Sequence, residues 1–345
     1  MLPTVVLRNR RILAALRFGG TFMIFVGMAQ PQMKTVHSAA EKPPASASRF
    51  VVVNGARLEY LDWGGNGPPL VFLAGLGSTA HVFNDLAPEF TSRYHCVGLT
   101  RRGFGQSEQT AGGYEIDILV EDIVAFGRRL DLRDITLVGH SYGGTEAVRA
   151  AELHPELIRR VVLLDTAYDP IPSAAPSAES KLVEAVTQMS QADRSSSLDS
   201  YRNYGKRLMG NLWSDALEAD LHETVVVASD GSVKGRTPSW ISSVIASERA
   251  LGKWPTKIPC PALLIFAQHS WTDLLRGLHL DDATSTEIIK AGAELQAARR
   301  SQIEAFRRDS RLARIVELEN TEHHCFIQRP ERVVAEMRKF FADAR

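Results

Sequence analysis

The sequence predicts an α/β fold, a mainly parallel sheet flanked by helices, with a helical cap inserted after the sixth strand. Three observations carry that expectation. From residue 69 to 164, short apolar runs rich in β-branched residues alternate with stretches of helical spacing, the pattern of strand–helix units on a buried parallel sheet. The rhythm lapses over residues 167–257 and resumes with the apolar run 262–267. Within the first stretch, Ile135-Thr136-Leu137-Val138 ends at Gly139-His140-Ser141-Tyr142-Gly143-Gly144 and passes into a helical segment over 145–153.

Bulk properties bound the function. The chain has 345 residues and 44% hydrophobic content, enough for one large domain with an insertion. Lys+Arg and Asp+Glu both number 40, a formal net charge of zero. No basic field suggests nucleic acid and no long run of one sign suggests a charged partner surface, which leaves a small molecule as the expected partner. The sequence does not set the oligomeric state. Cys96, Cys260 and Cys325 are far apart and lack metal-ligand spacing. Cys96 falls in a strand-like run and reads as a buried thiol. Cys260 and Cys325 could meet near the sheet, and sequence alone leaves their pairing open.

The chain then reads in order. Arg8, Arg10, Arg11 and Arg17 precede an apolar run over 18–29 with Gly27 and Ala29 near its end, the layout of a secretory leader over residues 1–29. The run is shorter than the about 20 apolar residues a membrane span needs. Export to the periplasm or medium is the expectation, and a cytoplasmic protein with a misassigned start is the alternative. Residues 30–48, rich in Pro, Ala and Ser, read as a flexible linker. The core is expected over 49–166 and 258–345, and the cap over 167–257. Asn54-Gly55 between apolar-alternating runs predicts a β-hairpin. Strands are expected at 69–73, 94–99, 135–138, 161–164, 262–267 and 314–318. Ile116, Leu119, Val120, Ile123, Val124 and Phe126 form one face of a helix over 116–130. Long helices are expected over 286–308 and 330–344, and Tyr201, Tyr204, Trp213 and Trp240 stand among the cap helices.

Ser141 lies between glycines at a strand-to-helix turn, the Gly-x-Ser-x-Gly pattern that holds a nucleophilic hydroxyl on a sharp turn. Gly139 and Gly143 remove Cβ atoms that would collide there, and Gly144 lets the helix pack closely. The same turn puts the Tyr142 N–H at a helix N-terminus, where it can receive an oxyanion. The plainer reading is a serine that only caps the helix.

Taken together, the motifs resemble the α/β-hydrolase fold from about Phe50 to the C-terminus. Gly139–Gly144 matches that family's elbow. Ala74-Gly75-Leu76-Gly77 stands where many members carry His-Gly-x-Gly, with Ala74 replacing the histidine, and Arg102-Gly103-Phe104-Gly105-Gln106-Ser107 matches the Arg-Gly-x-Gly-x-Ser segment, with Thr100 where Asp is usual. The resemblance implies that the Leu76 N–H is the second oxyanion donor and that the base follows the last strand. His323 keeps the family spacing, with His324 as the alternative. For the acid it implies Asp165 at the end of the sixth strand or Asp273 after the following one, with Asp169 a third choice.

These residues imply acyl transfer to water through a Ser141–His323–Asp165 triad, most broadly on a small carboxylic ester. The chemistry requires no metal or organic cofactor, and no dinucleotide fingerprint is present. A proline-iminopeptidase-like aminopeptidase is the alternative enzyme. It would need an acidic anchor for the substrate amine, such as Glu179, Glu184 or Asp215. The alternative from another class is a non-catalytic binding protein that uses the same pocket.

Overall fold

The computed structural model describes residues 47–166, 196–209, 212–250, 258–268, 282–310 and 312–343. The leader and nearly all of the linker lie outside the described residues. Strands β1 (Arg49–Val53) and β2 (Ala56–Gly64) form the expected hairpin, with Asn54 and Gly55 both at positive φ (47° and 74°). Such a turn matches the twist of the strands it joins. The remaining core strands are β3 (Pro69–Leu73), β4 (His95–Leu99), β5 (Ile135–His140), β6 (Ile158–Leu164), β9 (Ala262–Gln268) and β10 (Ala313–Glu319).

The eight core strands make one sheet in the order β1-β2-β4-β3-β5-β6-β9-β10. Pairing is parallel from β4 to β10 and antiparallel only at β1–β2 and β2–β4. Every residue of β3 and β5 is buried, as a strand covered on both faces must be. Alternation splits their side chains between two cores. Val71, Leu73, Leu137, Val161, Leu163, Leu264 and Phe266 pack with helix α1 (Ile116–Arg129) and helix α2 (Tyr142–Leu153). Ile303 of helix α6 (Asp282–Asp309) joins that side. Leu70, Phe72, Val138, Val162, Leu263 and Ile265 face the other way. They meet Val333, Met337, Phe340 and Phe341 of helix α7 (Pro330–Asp343). Two short 3-10 turns, Ala80–Phe83 and Ala87–Phe90, cover the same face, and Phe83 stacks between Phe72 and Phe326 at 5.3 and 5.1 Å.

The described part of the inserted stretch holds helices α3 (Leu198–Met209), α4 (Asp215–Thr224) and α5 (Ser239–Ala250). It also holds a hairpin that an all-helical reading leaves out: β7 (Val225–Val227) paired antiparallel with β8 (Val233–Gly235). Three consecutive valines, followed by Asp230 and Gly231 at φ 83°, were its signal. Ile241 and Ile245 of α5 pack on Phe104, Tyr114, Leu119 and Tyr142, and the Thr237 hydroxyl donates to the Gly103 carbonyl at 2.8 Å. The insertion therefore rests on the residue that follows Ser141. No described helix is long and apolar enough to cross a membrane.

Cys96, Cys260 and Cys325 are all free and buried, so Cys260 and Cys325 do not pair. Burial pushes the Cys96 thiol up to about 12 and the Cys260 thiol to about 11. Cys325 is raised well above its ordinary value for the same reason.

Candidate active site

β5 lies between β3 and β6, and the chain leaves it at Ser141, whose φ is 52° and ψ −123°. A non-glycine residue held there costs on the order of 1–3 kcal/mol, so its surroundings must over-determine it. Three hydrogen bonds to its main-chain groups do so. The Ser141 N–H donates to the Leu164 carbonyl at 3.1 Å, and the Ser141 carbonyl accepts from the Gly144 N–H at 2.9 Å and the Thr166 hydroxyl at 2.6 Å. Close approach explains the flanking glycines. A Cβ on Gly143 would stand 2.2 Å from the Leu73 carbonyl oxygen, and one on Gly144 2.0 Å from Cγ2 of Thr166. Gly144 thus serves contact with the neighbouring strand's end rather than with β5. Helix α2 begins at Tyr142, three residues earlier than its apolar spacing suggests, which places the Tyr142 N–H in the first turn. Donors of a first turn have no partner within the helix.

The loop Ala74-Gly75-Leu76-Gly77 follows β3 directly, and Leu76 is exposed. A Cβ on Gly75 would come within 3.1 Å of both the Ser141 Cβ and His140 Nδ1. That contact puts the loop's main chain against Ser141. The structure also supplies a brace in place of the histidine usual at position 74. Arg101 Nη2 donates to the Ala74 carbonyl at 2.8 Å, while Nε and Nη2 grip the two carboxylate oxygens of Glu146 at 2.6 and 2.5 Å. Both side chains are buried. Burial alone would lower the Arg101 guanidinium, but the adjoining Glu146 carboxylate more than reverses this and holds it firmly charged. Sequence reading missed this pair. Its signal was a second arginine beside Arg102 and a glutamate on the apolar side of α2, between Gly144 and Ala147.

Asp165 is the first residue beyond β6, at φ 48°. Its N–H donates to the Ile265 carbonyl at 2.7 Å, and its Oδ1 accepts the Ala267 N–H at 2.9 Å. The other oxygen, Oδ2, lies 2.6 Å from Nδ1 of His323, in the loop after β10. Asp165 is 1% and His323 5% exposed, so the pair is shielded from water and salt. Asp169 and Asp273 lie outside the described residues. So do Glu179 and Glu184, whereas Asp215 is the exposed first residue of α4.

His324 does not share this bond. Its ring packs on His140 and Phe326, with centroids 4.7 and 5.8 Å away. Burial first, and then the charge His323 can carry, pull His324 down to about 3, so it stays neutral. His140 is likewise held well below its ordinary value by burial and by His323 and His324. Its Nε2 lies 3.1 Å from the His323 carbonyl, which only an Nε2–H can donate to, and this fixes its tautomer. The two neutral rings back the loop that carries His323. Sequence reading gave His140 no role.

A sequence-family profile described as "alpha/beta hydrolase fold" matches residues 68–214. Among solved structures, that of an E-2-(acetamidomethylene)succinate hydrolase superposes with a TM-score of 0.66 over 86% of this chain and 99% of its own, at 22% identity. This chain has the α/β-hydrolase fold. As an α/β-hydrolase-fold protein it also resembles curated proteins over shorter stretches. It is 36% identical over 101 residues to the 2-(acetamidomethylene)succinate hydrolase of Mesorhizobium japonicum, covering 29% of this chain and 36% of that protein. It is 34% identical over 119 residues to a non-heme chloroperoxidase of Kitasatospora aureofaciens, covering 34% of this chain and 43% of that protein. The matches thus span between a third and a half of these relatives' length.

Proposed function

We propose that this α/β-hydrolase-fold protein is a serine hydrolase that cleaves a small carboxylic ester or related acyl compound through an acyl-enzyme. The observation that carries the reading is the buried 2.6 Å bond between Asp165 and His323. With Nδ1 committed to Asp165, Nε2 of His323 is left to take the Ser141 proton as its Oγ attacks the carbonyl carbon. The Asp165 carboxylate fixes the tautomer and stabilises the imidazolium without taking the proton itself. The tetrahedral oxyanion is received by the N–H groups of Leu76 and Tyr142. His323 then protonates the departing alcohol. A water, deprotonated by the same nitrogen, releases the acid and restores Ser141. The resemblance to a named hydrolase supports hydrolysis in general.

The deciding experiment is p-nitrophenyl acetate and butyrate turnover by the folded protein and by Ser141→Ala. Turnover by the parent and loss in the variant is the expected result, and equal turnover by both would refute the proposal. For the leader, export is proposed on its basic residues and apolar run. Periplasmic or secreted protein is the expected result of fractionation, and retention in the cytoplasm speaks against it.

A further inference from the structure

We infer that Glu59, His81 and Glu223 form a binding site for a divalent transition-metal ion of the zinc type, set where the inserted helix α4 meets the core sheet. One donor atom from each of the three lies within 4.8 Å of the other two. Glu59 comes from β2, His81 from the 3-10 turn after the Gly75–Gly77 loop, and Glu223 from α4.

The donor set suits such an ion. Imidazole and carboxylate are the ligands that zinc and its first-row neighbours take, with bonds of about 2.0–2.2 Å. At those lengths two ligands of a tetrahedral ion stand about 3.3–3.6 Å apart. His81 Nε2 stands 3.5 Å from Oε1 of Glu59. His81 is 8% exposed, its Nε2 is inaccessible to solvent, and that nitrogen makes no hydrogen bond among the described residues. It faces Glu59 at an ion-pair distance that two ligands of one bound cation would also keep.

Charge points the same way. Glu59 is fully buried, and a third carboxylate, Asp220, is buried within electrostatic reach of His81, accepting from the Thr79 N–H and hydroxyl at 2.7 and 2.6 Å. Even a protonated His81 leaves three carboxylates facing one positive charge. Arg57 donates to the Gln106 carbonyl and Arg236 to the Glu223 and Val225 carbonyls rather than to these carboxylates. The outer contacts orient the ligands as supporting groups do in metal sites. The Ser48 hydroxyl donates to Glu59 Oε1 at 2.6 Å, and Gln106 spans both acids, its N–H to Glu59 Oε2 at 3.3 Å and its Nε2 to Glu223 Oε2 at 2.9 Å. Glu223 is only partly buried, which leaves a way in.

The bound ion would tie the insertion to the core without entering the acyl chemistry.

Full-length protein is stripped with EDTA and titrated calorimetrically with zinc chloride, alongside Glu223→Gln, His81→Asn and His323→Asn. Cobalt(II) absorption in the visible region reports the ligand geometry. One equivalent of zinc is expected in the parent and in His323→Asn, with a higher melting temperature. Affinity should fall at least about tenfold in Glu223→Gln and His81→Asn. Glu223→Gln keeps the volume and the contact with Gln106, so it stays informative if the His81 variant fails to fold. No uptake by the parent, or equal uptake by the parent and Glu223→Gln, would overturn the inference. Loss of uptake in His323→Asn alone would assign the metal to the catalytic histidines and overturn it too.

Discussion

Arg101 and Glu146 form a buried, two-pronged ion pair that joins the segment after β4 to the first turns of α2, and the same guanidinium holds the Ala74 carbonyl. One side chain therefore fixes the serine's helix and the loop opposite it. Removing one partner of such a pair strands the other charge, a loss of about 3–5 kcal/mol. Arg101→Met should accordingly unfold in far less urea than the parent. The double variant Arg101→Met/Glu146→Leu should recover much of that stability, since an apolar pair of similar bulk replaces the buried charges. Its ester turnover should stay low because Ala74 remains untethered. Full recovery of turnover would show that the brace has no part in catalysis.

The acid is tested separately. Asp165→Asn keeps an acceptor for the Ala267 N–H but no longer holds the His323 tautomer. A fall of about 10³–10⁴ in kcat, with little change in KM, is the expected result. Asp273→Asn should remain within a few-fold of the parent. The opposite ranking would move the acid to the loop after β9.

Glycine substitutions should separate folding from chemistry. Gly143→Ala places a methyl 2.2 Å from a backbone oxygen that cannot move aside, so little soluble protein is expected. At Gly75 the added carbon meets its neighbours at 3.1 Å, which a small shift relieves. Gly75→Ala should fold and lose turnover, as its loop moves off Ser141. Circular dichroism and single-turnover kinetics distinguish the two outcomes.

Asp220 gives a pH-dependent test. Its desolvation at the junction of α4 and the core raises it from an ordinary 3.8 to about 6. A raised folded-state value means that its contribution to stability is complete below the unfolded value and lost as pH rises through about 6. Asp220→Asn keeps an oxygen for Thr79 and carries no charge. In EDTA, its advantage in melting temperature over the parent should grow from pH 4 and level off above pH 6. A variant less stable than the parent at pH 8 would contradict this.

The β1–β2 hairpin, the parallel strands and the turn at Ser141 were legible because local rules specify them. Asn54-Gly55 sets the hairpin, unbroken apolar runs mark doubly covered strands, and Gly143 and Gly144 mark close backbone approach. Sequence position alone left Asp165, Asp273 and Asp169 open, because the choice depends on which strand end faces the last loop. In the sheet β6, β9 and β10 follow one another, and the end of β6 brings Asp165 to 2.6 Å from His323, while Asp169 and Asp273 lie outside the described residues. The neighbours His323 and His324 differ in what surrounds their rings, which no spacing reveals. Arg101 and Glu146 read as ordinary charges until β3, β4 and α2 converge. Within the insertion, the β7–β8 hairpin was hidden by the helical composition around it.

The three buried thiols have a practical consequence for watching this molecule move. All the cysteines of the chain sit in the interior with their ionisation suppressed, and thiol-directed reagents react with the thiolate at accessible positions. The native protein is in effect a blank for maleimide dyes. A single cysteine introduced on α5 and another on the far face of α1 would be the sole attachment points, and the distance between two fluorophores there would track the insertion during turnover without first removing any native residue.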